Sequence, residues 1–497
     1  MDTAVFCSQI FPMRELVFPG STELVVVGGR DMFSAATNVL KMSGIRQIAI
    51  IGFGSQGHAH AQNLRESNEG SDIVVKVGLP EGSGSRQKAR DAGFTEENGT
   101  LGETFDVISE SDLVILLIPD SEQVRLYKEI FAAMRPGAIL GLAHGFLLGH
   151  LQSIGEYFPD NISVIGVCPK GVGQSVRWWY EQGRETNGAG IPCSIAVEQD
   201  RGGAMDVAIA WAIQLGAPIS SLTTLEKEFL SDLTGERGIL LGAVWPLVEM
   251  AYGYFVASGY DEEMAYNLAV ESVTGPISEQ ISRHGGLLGL YRNLPDGDKE
   301  IFARAYVSVY GPAKELIEEI YASVESGDEI REVVERGNRL KEHPMERIDT
   351  GEMWVVGARV RQNRENFDRI IEPMVAGLYV AIMMAQVDVL HEHGHRWTEV
   401  CFESIIEAIK SLNPLMHAKG AGYMVDSCSP TARLGTRKWG PRFGAMIWGK
   451  ALQGFDSITG VAREDHLFQY FLGHPGHSAL ATCLALVPEE DLYVNVG

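Results

Sequence analysis

Two pairs of acidic residues, each set four residues apart, carry the strongest chemical signal in the sequence. Asp232 and Glu236 form one pair, Glu403 and Glu407 the other, and both lie in long apolar stretches with helical periodicity. Residues four apart share one helix face, and carboxylates there are costly unless a positive charge compensates them. Four such groups without clustered His or Cys favour Mg²⁺, and they could hold two ions. Taken alone, each pair is more often a solvated helix face.

Three other side chains accompany the acidic pairs. His144 and Lys170 each follow a short apolar run, and Ser429 lies in the segment Asp-Ser-Cys-Ser-Pro at 426–430. Open α/β sheets bind their ligands just beyond the carboxyl ends of strands, where His144 and Lys170 are expected. Each residue alone also fits a simpler interpretation: a core histidine, a surface lysine and a helix-cap serine.

A glycine motif predicts dinucleotide binding. Gly52-Phe-Gly-Ser-Gln-Gly57 directly follows a predicted strand and opens a predicted helix. Gly52 permits a tight turn, Gly54 allows the backbone to approach a pyrophosphate, and Gly57 allows close packing of helix and strand. The helix N-terminus stabilises the negative charge of the phosphates. An ordinary glycine-rich turn is the alternative.

The loop after the second strand bears on the choice of nicotinamide cofactor. NAD-binding proteins usually place an acidic residue there to bond the ribose 2′-hydroxyl. Here Ser83, Ser85 and Arg86 could hold a 2′-phosphate, whereas Glu81 would repel it. We therefore predict NADPH, with NADH as the alternative.

The elements that position these residues follow from two periodicities. Short aliphatic runs at 47–51, 73–78, 112–118, 138–142, 163–168 and 194–197 alternate with helical stretches. This alternation predicts an α/β domain with a doubly wound, parallel Rossmann-type sheet, onto which a strand at 24–27 packs as an extension. Beyond about residue 223 helical patterns dominate, so an all-α domain is expected with the boundary at 217–224.

The helical half contains a weak internal repeat. Gly242 matches Gly377 and Gly259 matches Gly394, in both cases 135 residues later. We predict domains at 1–223 and 224–497, the second made of copies at about 224–360 and 361–497. One residue inserted after Gly394 would align Glu271 with Glu407. Chance similarity between amphipathic helices is the alternative.

Composition restricts the class of protein. The 497 residues carry a net charge of −24, which argues against nucleic-acid and anionic-membrane partners. Apolar runs such as 113–119 and 379–385 fall short of the roughly 20 residues of a membrane span. The six cysteines show no CxxC spacing, so neither a zinc site nor a disulfide framework is expected. We predict a soluble enzyme for a small molecule, without a visible targeting segment, in the bacterial cytoplasm or plastid stroma.

Taken together, these segments resemble ketol-acid reductoisomerase in its long, plant-like class. The resemblance covers nearly the whole chain from about Val25. It is most specific at 52–57, 142–150, 167–171, 235–243 and 411–417. It implies a Rossmann domain followed by a knotted, duplicated all-α domain, and a homo-oligomer is left open.

The resemblance also implies a reaction. Mg²⁺-dependent alkyl migration in 2-acetolactate or 2-aceto-2-hydroxybutyrate precedes reduction by NADPH to a 2,3-dihydroxy-3-methyl acid, in valine and isoleucine biosynthesis. Asp232 would bridge two Mg²⁺ ions, with Glu236, Glu403 and Glu407 completing or supporting the shell. Ser429 would hold the substrate carboxylate, and His144 and Lys170 would act as proton and charge partners. The predicted cofactor contacts are Gly52, Gly54, Ser55, Gln56, Gly57, Ser83, Ser85, Asp120, Gln123 and Gly173.

The chain departs from the family pattern in one informative loop. Plant-like members usually carry basic residues where this chain has Pro80 and Glu81, so the preference for NADPH is weakened. Trp245-Pro246 also predicts a kink in the helix after Glu236.

Two other functions fit parts of the sequence. An NADP-dependent β-hydroxyacid dehydrogenase would also join a Rossmann domain to a helical one, but it needs no metal. A nucleotide-sensing binding module would use the glycine loop and leave His144, Lys170 and the acidic pairs without a role.

Overall fold

The protein is described here by a computed structural model that covers residues 8, 10–186, 188–455, 462–487 and 493. An α/β region with a ten-stranded sheet is followed by a region of helices. This arrangement confirms the predicted fold class. Cys7 and the rest of the first seven residues, where a targeting segment was sought, lie outside the described residues.

The ten strands form one mixed sheet. They are β1 (Met13–Phe18), β2 (Ser21–Val27), β3 (Gln47–Ile51), β4 (Val74–Gly78), β5 (Leu101–Gly102), β6 (Leu113–Leu116), β7 (Ile139–Leu142), β8 (Ser163–Pro169), β9 (Cys193–Gln199) and β10 (Ile219–Leu222). Their order is β1-β2-β10-β9-β8-β7-β6-β3-β4-β5. The six strands from β3 to β8 are parallel, and their order reverses between β3 and β6. Ligands of such sheets bind at this reversal.

The far side of the sheet differs from the predicted parallel arrangement. Strand β9 pairs antiparallel with β8, with Cys193 opposite Pro169, because the chain returns to the edge at which β8 ends. Strand β10 falls inside the predicted boundary at 217–224 and pairs with both β9 and β2. Its sequence Ile-Ser-Ser-Leu lacks an apolar run, and it was not predicted; neither were β1 and the two-residue β5.

Eight α-helices, besides a short 3-10 helix at Arg30–Met32, lie in the described part of the α/β region. They are α1 (Phe33–Met42), α2 (Ser55–Ser67), α3 (Ser85–Asp91), α4 (Thr104–Glu110), α5 (Asp120–Ala133), α6 (Phe146–Ile154), α7 (Gly173–Gln182) and α8 (Ala204–Gln214). Every residue of β6, β7 and β8 is buried. Parallel strands covered on both faces read as continuous apolar runs, which is why the sequence located them.

Fifteen helices make up the described part of the second region. They are α9 (Leu225–Gly235), α10 (Val244–Ala257), α11 (Glu262–Tyr266), α12 (Ser278–Arg283), α13 (Gly286–Asn293), α14 (Asp296–Glu325), α15 (Asp328–Asn338), α16 (Glu352–Gln362), α17 (Pro373–Glu392), α18 (Trp397–Cys401), α19 (Asn413–Lys419), α20 (Ala421–Asp426), α21 (Pro430–Ile447), α22 (His466–Leu472) and α23 (Gly476–Leu484). Wider π-helical turns occur at Glu236–Leu240, Asn267–Glu271, Val273–Ile277, Phe402–Ile406, Ala408–Leu412 and Trp448–Leu452.

The second region repeats some of its elements at a fixed offset. The π-helical turns at 267–271 and 273–277 recur at 402–406 and 408–412, which is 135 residues later (402 − 267). Helix α11 recurs as helix α18 with the same offset. No inserted residue is needed, so Glu271 matches Ile406 rather than Glu407. The division into domains and copies at 223 and 360 stays a prediction.

The helix after Glu236 does not kink at Trp245-Pro246 as predicted, but breaks at another residue. Pro246 occupies the first turn of α10, where a missing backbone N–H costs no helical hydrogen bond. The helical course breaks upstream, at Gly238, whose φ and ψ are −83° and −127°. The break separates α9 from α10 directly after Glu236.

Two helical stretches are long and apolar enough to cross a membrane by length and composition, Leu225–Ala257 and α17. The short apolar runs of the sequence had predicted no helix of this kind. In α17, 94% of the apolar window is buried within the protein, and in Leu225–Ala257 61% is. A helix that is apolar all round and covered by its own chain is typical of a protein core.

Candidate active site

Three loops meet at the carboxyl edge of the parallel strands. Gly52 directly follows β3, His144 lies two residues beyond β7, and Lys170 directly follows β8. Helix α9, which carries Asp232, contacts β8, β9 and the π-helical turn at 402–406. The predicted cofactor loop and the predicted catalytic residues therefore share one edge of the sheet.

Lys170 lies among carboxylates. Its Nζ is 2.7 Å from Glu403 Oε2, 3.1 Å from Glu228 Oε1 and 3.8 Å from Asp232 Oδ1, and its side chain is 1% exposed. Burial favours the neutral amine, but the surrounding carboxylates outweigh it and raise the pKa of Lys170 well above its ordinary value. Lys170 is thus a fixed positive charge that joins helix α9 to the 402–406 turn.

His144 faces the same carboxylates from the opposite loop. Its Nδ1 lies 3.1 Å from Asp232 Oδ2 and 3.4 Å from Glu228 Oε2. Burial would lower the pKa of His144, but the nearby charges of Asp232 and Glu228 raise it well above its ordinary value. The protonated imidazolium is the favoured form, so His144 holds a proton beside Asp232.

Glu228 is a member of the cluster that the sequence analysis missed. It is 1% exposed, its Oε1 accepts a hydrogen bond from Lys170 Nζ, and its Oε2 accepts one from the backbone N–H of Gly145 at 2.7 Å. Glu228 lies four residues before Asp232, so three acidic residues line one face of α9 and its continuation. This third i, i+4 member was the available signal.

The four predicted metal ligands lie close enough together to shift one another's pKa values. Burial and the charge of Asp232 raise the pKa of Glu236 to about 8. Burial raises the pKa of Glu403 to about 8; the charge of Lys170 lowers it, and that of Asp232 raises it further. Burial and the charge of Glu403 raise the pKa of Glu407 well above its ordinary value. Glu403 Oε2 faces Lys170 Nζ, whereas Glu403 Oε1 and Glu407 Oε2 are buried without a hydrogen-bond donor. Lys170, His144 and Arg237, which lies 3.0 Å from Glu236, therefore compensate the carboxylates only in part.

The side-chain positions bring one set of possible ligand atoms close together. Atoms of His144, Glu228 and Asp232 all lie within 4.8 Å of one another. Within the described part of the chain, no such group contains Glu236, Glu403 or Glu407. Glu403 nevertheless packs on α9, because a Cβ at Gly235 would lie 3.0 Å from its Cγ. The assignment of the four carboxylates as ligands stays a prediction.

The glycine motif has the geometry that its sequence predicts. Gly52 has a φ of +105°, and a Cβ there would lie 2.6 Å from Leu117 O. A Cβ at Gly57 would lie 2.3 Å from Gly52 O, whereas one at Gly54 would meet nothing within 4 Å. Gly52 and Gly57 are thus required by the fold, and the surface at Gly54 is open for a phosphate at the N-terminus of α2.

The start of α2 is tied to the Lys170 loop. Gln56 Nε2 donates a hydrogen bond to Gly171 O at 2.9 Å, and Ser55 Oγ accepts one from Gly173 N at 3.1 Å. A Cβ at Gly173 would lie 1.9 Å from Ser55 O. Ser55, Gln56 and Gly173 therefore connect the two loops, and their contact with a cofactor stays a prediction.

The loop expected to read the ribose is exposed at Pro80 and Glu81. Ser83 Oγ accepts a hydrogen bond from Ser85 N at 3.2 Å. Arg86 points inward, because its Nη1 donates to Leu79 O at 3.0 Å and its Nε lies 3.6 Å from Glu96 Oε1. The Arg86 guanidinium is already engaged within the domain, which leaves the two serines as the candidate phosphate ligands.

Asp120 and Gln123 turn toward the protein. Asp120 Oδ2 accepts a hydrogen bond from Thr431 Oγ1 at 2.5 Å, and Gln123 Nε2 donates to Ile118 O at 3.0 Å. Burial raises the pKa of Asp120 above its ordinary value, although the nearby His144 charge opposes this. Asp120 joins the first turn of α5 to that of α21, and its role as a cofactor contact stays a prediction.

Ser429 caps α21. Its Oγ accepts a hydrogen bond from Ala432 N at 3.0 Å, as the simpler interpretation expected. Its hydroxyl hydrogen remains available to a ligand, since Ser429 is exposed. The neighbouring Cys428 feels the charges of Glu236 and Glu407, so this segment lies beside the carboxylates.

Comparison with known proteins decides the family. The model of the acetohydroxy acid isomeroreductase NADPH-binding domain matches residues 43–220, and that of the ketol-acid reductoisomerase C-terminal domain matches 225–366 and 372–453. The chain belongs to the ketol-acid reductoisomerase family. It is an oxidoreductase of branched-chain amino acid biosynthesis with an NADPH-binding domain, as the resemblance implied.

Relatives agree along almost the whole chain. Chloroplastic ketol-acid reductoisomerases of Spinacia oleracea and Pisum sativum are each 49% identical, over 500 and 499 residues. These alignments cover 99% and 98% of this chain and 83% and 85% of the relatives. An NADH-preferring ketol-acid reductoisomerase from an uncultured archean is 26% identical with a TM-score of 0.57, covering 66% of this chain and 96% of the other.

Membership of this family settles the alternatives left open by the sequence. The C-terminal match includes the stretches that carry all four acidic residues, which the metal-free β-hydroxyacid dehydrogenase and the nucleotide-sensing module left unexplained. In this reductoisomerase, His144, Lys170 and Asp232 lie together as predicted, and Glu228 joins them.

Proposed function

We propose that Asp232, Glu236, Glu403 and Glu407 hold two Mg²⁺ ions. The observation that carries this proposal is that two buried carboxylate oxygens, Glu403 Oε1 and Glu407 Oε2, have no hydrogen-bond donor. Buried carboxylates need compensation, and although Arg237 Nη1 lies 3.0 Å from Glu236 Oε2 and Lys170 Nζ 2.7 Å from Glu403 Oε2, the pKa of both Glu236 and Glu403 is still raised to about 8. All-oxygen ligands suit a hard divalent cation.

The reaction proposed for this site begins with 2-acetolactate or 2-aceto-2-hydroxybutyrate. The substrate hydroxyl loses its proton, and the alkyl group moves with its bonding electrons to the neighbouring carbonyl carbon. The oxygen of that carbonyl becomes an alkoxide and takes up a proton. The former hydroxyl carbon becomes a ketone, whose reduction gives a 2,3-dihydroxy-3-methyl acid. When bound, Mg²⁺ supplies positive charge at the substrate oxygens and NADPH supplies the hydride.

The chain's own residues would assist at defined atoms. His144 holds a proton next to Asp232, which suits delivery to the oxygen of the ketone as it is reduced. Lys170 fixes Glu228 and Glu403 in place. Ser429 and the N-terminus of α21 suit the substrate carboxylate, because a hydroxyl and the positive end of a helix both favour an anion.

The proposed cofactor is NADPH, with NADH as the alternative. The match to an NADPH-binding domain supports NADPH, as do the available hydroxyls of Ser83 and Ser85. Glu81 opposes it, and Arg86 is engaged elsewhere. A member of the same family, the reductoisomerase from an uncultured archean, prefers NADH.

For the compartment we propose the plastid stroma, because both relatives at 49% identity are chloroplastic. Import of the full-length gene product into isolated chloroplasts tests this proposal. A homo-oligomeric state and the absence of nucleic-acid and membrane partners stay predictions.

The experiment for the proposed reaction measures oxidation of NADPH and, separately, NADH with 2-acetolactate, each with and without Mg²⁺. We expect oxidation only with Mg²⁺, and faster with NADPH. Oxidation that is equally fast after removal of divalent cations would contradict the metal site. No oxidation of either cofactor would contradict the proposed reaction.

A further inference from the structure

Helix α18, which leads into the turn carrying Glu403, is anchored from the far end of the sheet. Glu23 on β2 is 5% exposed. Its Oε1 accepts a hydrogen bond from Trp397 N at 2.6 Å, and its Oε2 accepts from Thr398 N at 3.1 Å and from Thr398 Oγ1 at 2.7 Å. The adjacent Arg396 provides no side-chain cap, so Glu23 satisfies the free N–H groups of this helix start.

The next residue of α18, Glu399, is anchored as well. It is 2% exposed. Its Oε1 accepts a hydrogen bond from Ser231 Oγ at 2.7 Å and lies 3.2 Å from His395 Nδ1. Its Oε2 accepts from Thr223 Oγ1 at 3.3 Å. The proposed reaction uses none of these groups, although a buried carboxylate with three polar partners is a costly feature to keep.

The Ser231–Glu399 hydrogen bond lies next to both acidic pairs. Ser231 directly precedes Asp232 on α9, and Glu399 lies one turn before Glu403. The bond therefore joins the two segments that carry the two acidic pairs. A change in its length or direction would alter the separation of Asp232 and Glu403.

We propose that Ser231 and Glu399 are positioning residues, whose hydrogen bond sets the spacing of the two carboxylate pairs and thereby the affinity for a divalent cation. This inference rests on the proposed metal site. Mg²⁺ requires near-octahedral geometry at about 2.0–2.1 Å, so small displacements of its ligands weaken binding. Groups that orient metal ligands are commonly worth about 10–100-fold in metal affinity.

The test is Mn²⁺ binding to the full chain without substrate, measured by electron paramagnetic resonance. Ser231→Ala removes the donor without adding volume to a buried helix. We expect Mn²⁺ binding about tenfold weaker, a matching rise in the Mg²⁺ concentration needed for half-maximal activity, and a rate at saturating Mg²⁺ within about twofold of the parent. NADPH affinity should not change.

A matched control is Ser272→Ala. Ser272 is 1% exposed, lies in the helical region and accepts a partly buried hydrogen bond from Glu372 N at 2.9 Å, so its replacement also removes one hydrogen bond of a buried serine. We expect an unchanged Mn²⁺ affinity. If Ser272→Ala weakens Mn²⁺ binding as much as Ser231→Ala, general loss of stability explains both effects and the proposal is overturned.

A double substitution tests whether the two residues act through one bond. In a Glu399→Met background, Ser231→Ala should weaken Mn²⁺ binding by less than about twofold, because its partner is already gone. Wild-type Mn²⁺ affinity in Ser231→Ala would overturn the positioning role alone. Failure of the parent protein to bind Mn²⁺ would overturn the metal site, and this inference with it.

Discussion

Gln56 donates a hydrogen bond from Nε2 to the carbonyl oxygen of Gly171, 2.9 Å away. Gln56 belongs to the glycine motif at the start of α2, and Gly171 follows Lys170. The loop expected to hold the cofactor is therefore fixed to the loop that carries the central positive charge of the carboxylate cluster. A displacement of one loop should therefore displace the other.

Replacing Asp232 with Asn should impair the metal-dependent reaction without impairing cofactor binding. Loss of a shared metal-ligand charge should reduce Mg²⁺-dependent conversion of 2-acetolactate by more than about 100-fold. NADPH binding, measured by fluorescence titration, should stay nearly intact, because the glycine loop is unchanged. Asp91→Asn on the exposed face of α3 is the control. Equal loss of both properties would count against a separate metal site.

Basic residues at positions 80 and 81 should shift the cofactor preference. The double substitution Pro80→Arg and Glu81→Arg removes a negative charge and adds two positive ones where the 2′-phosphate is expected. The ratio of NADPH to NADH affinity should rise roughly tenfold, or about 1.4 kcal/mol. Glu97→Arg, also exposed, controls for net charge. An unchanged ratio would show that this loop does not contact the phosphate.

Two glycines of one motif should respond differently to alanine. Gly57→Ala places a methyl group 2.3 Å from Gly52 O and should destabilise the fold by about 1–3 kcal/mol. Gly54→Ala meets open space and should leave the thermal midpoint unchanged while weakening NADPH binding. Calorimetry and cofactor titration of both variants check this contrast, and similar thermal midpoints would contradict it.

His60 should make the folded state sensitive to acid. Its ring is fully buried against Trp211 without hydrogen-bond partners, and burial lowers the pKa of His60 to about 3 from an ordinary 6.5. Between these values the unfolded chain binds a proton that the folded protein does not, so stability falls as pH drops below 6.5.

His60→Leu removes this titration. Between pH 7 and pH 5, the parent should lose about 2 kcal/mol more of its free energy of unfolding than the variant does. Urea unfolding at both pH values measures the difference. His466→Gln, at a side chain that is 87% exposed, serves as the control. Equal losses in the parent and His60→Leu would refute a neutral, buried histidine.

The sequence predicted those parts of the fold that have a strong local pattern. Strand β3 occupies the predicted residues, because an apolar run ending at a glycine motif has few other interpretations. Strand β10 was not found, since its two serines are buried by pairing with strands far away in the chain. The π-helical turns around Glu403 have no comparable signal in the sequence.

Within the site, residue types were easier to predict than partners. His144 and Lys170 were located by their position after strands. The Glu228 contacts depend on Gly145 and Lys170 approaching α9 from two different loops, which is a tertiary relationship. The inward turn of Arg86 likewise depends on Glu96, a residue beyond its own helix.

The cap that Glu23 provides for Trp397 spans 374 residues of chain. During synthesis, β2 leaves the ribosome long before α18 exists, and at about 5–20 residues per second the interval is on the order of 20–75 s. Glu23 must wait for its partner over this time. The carboxylate cluster is therefore among the last features of a newly made chain to reach its final form.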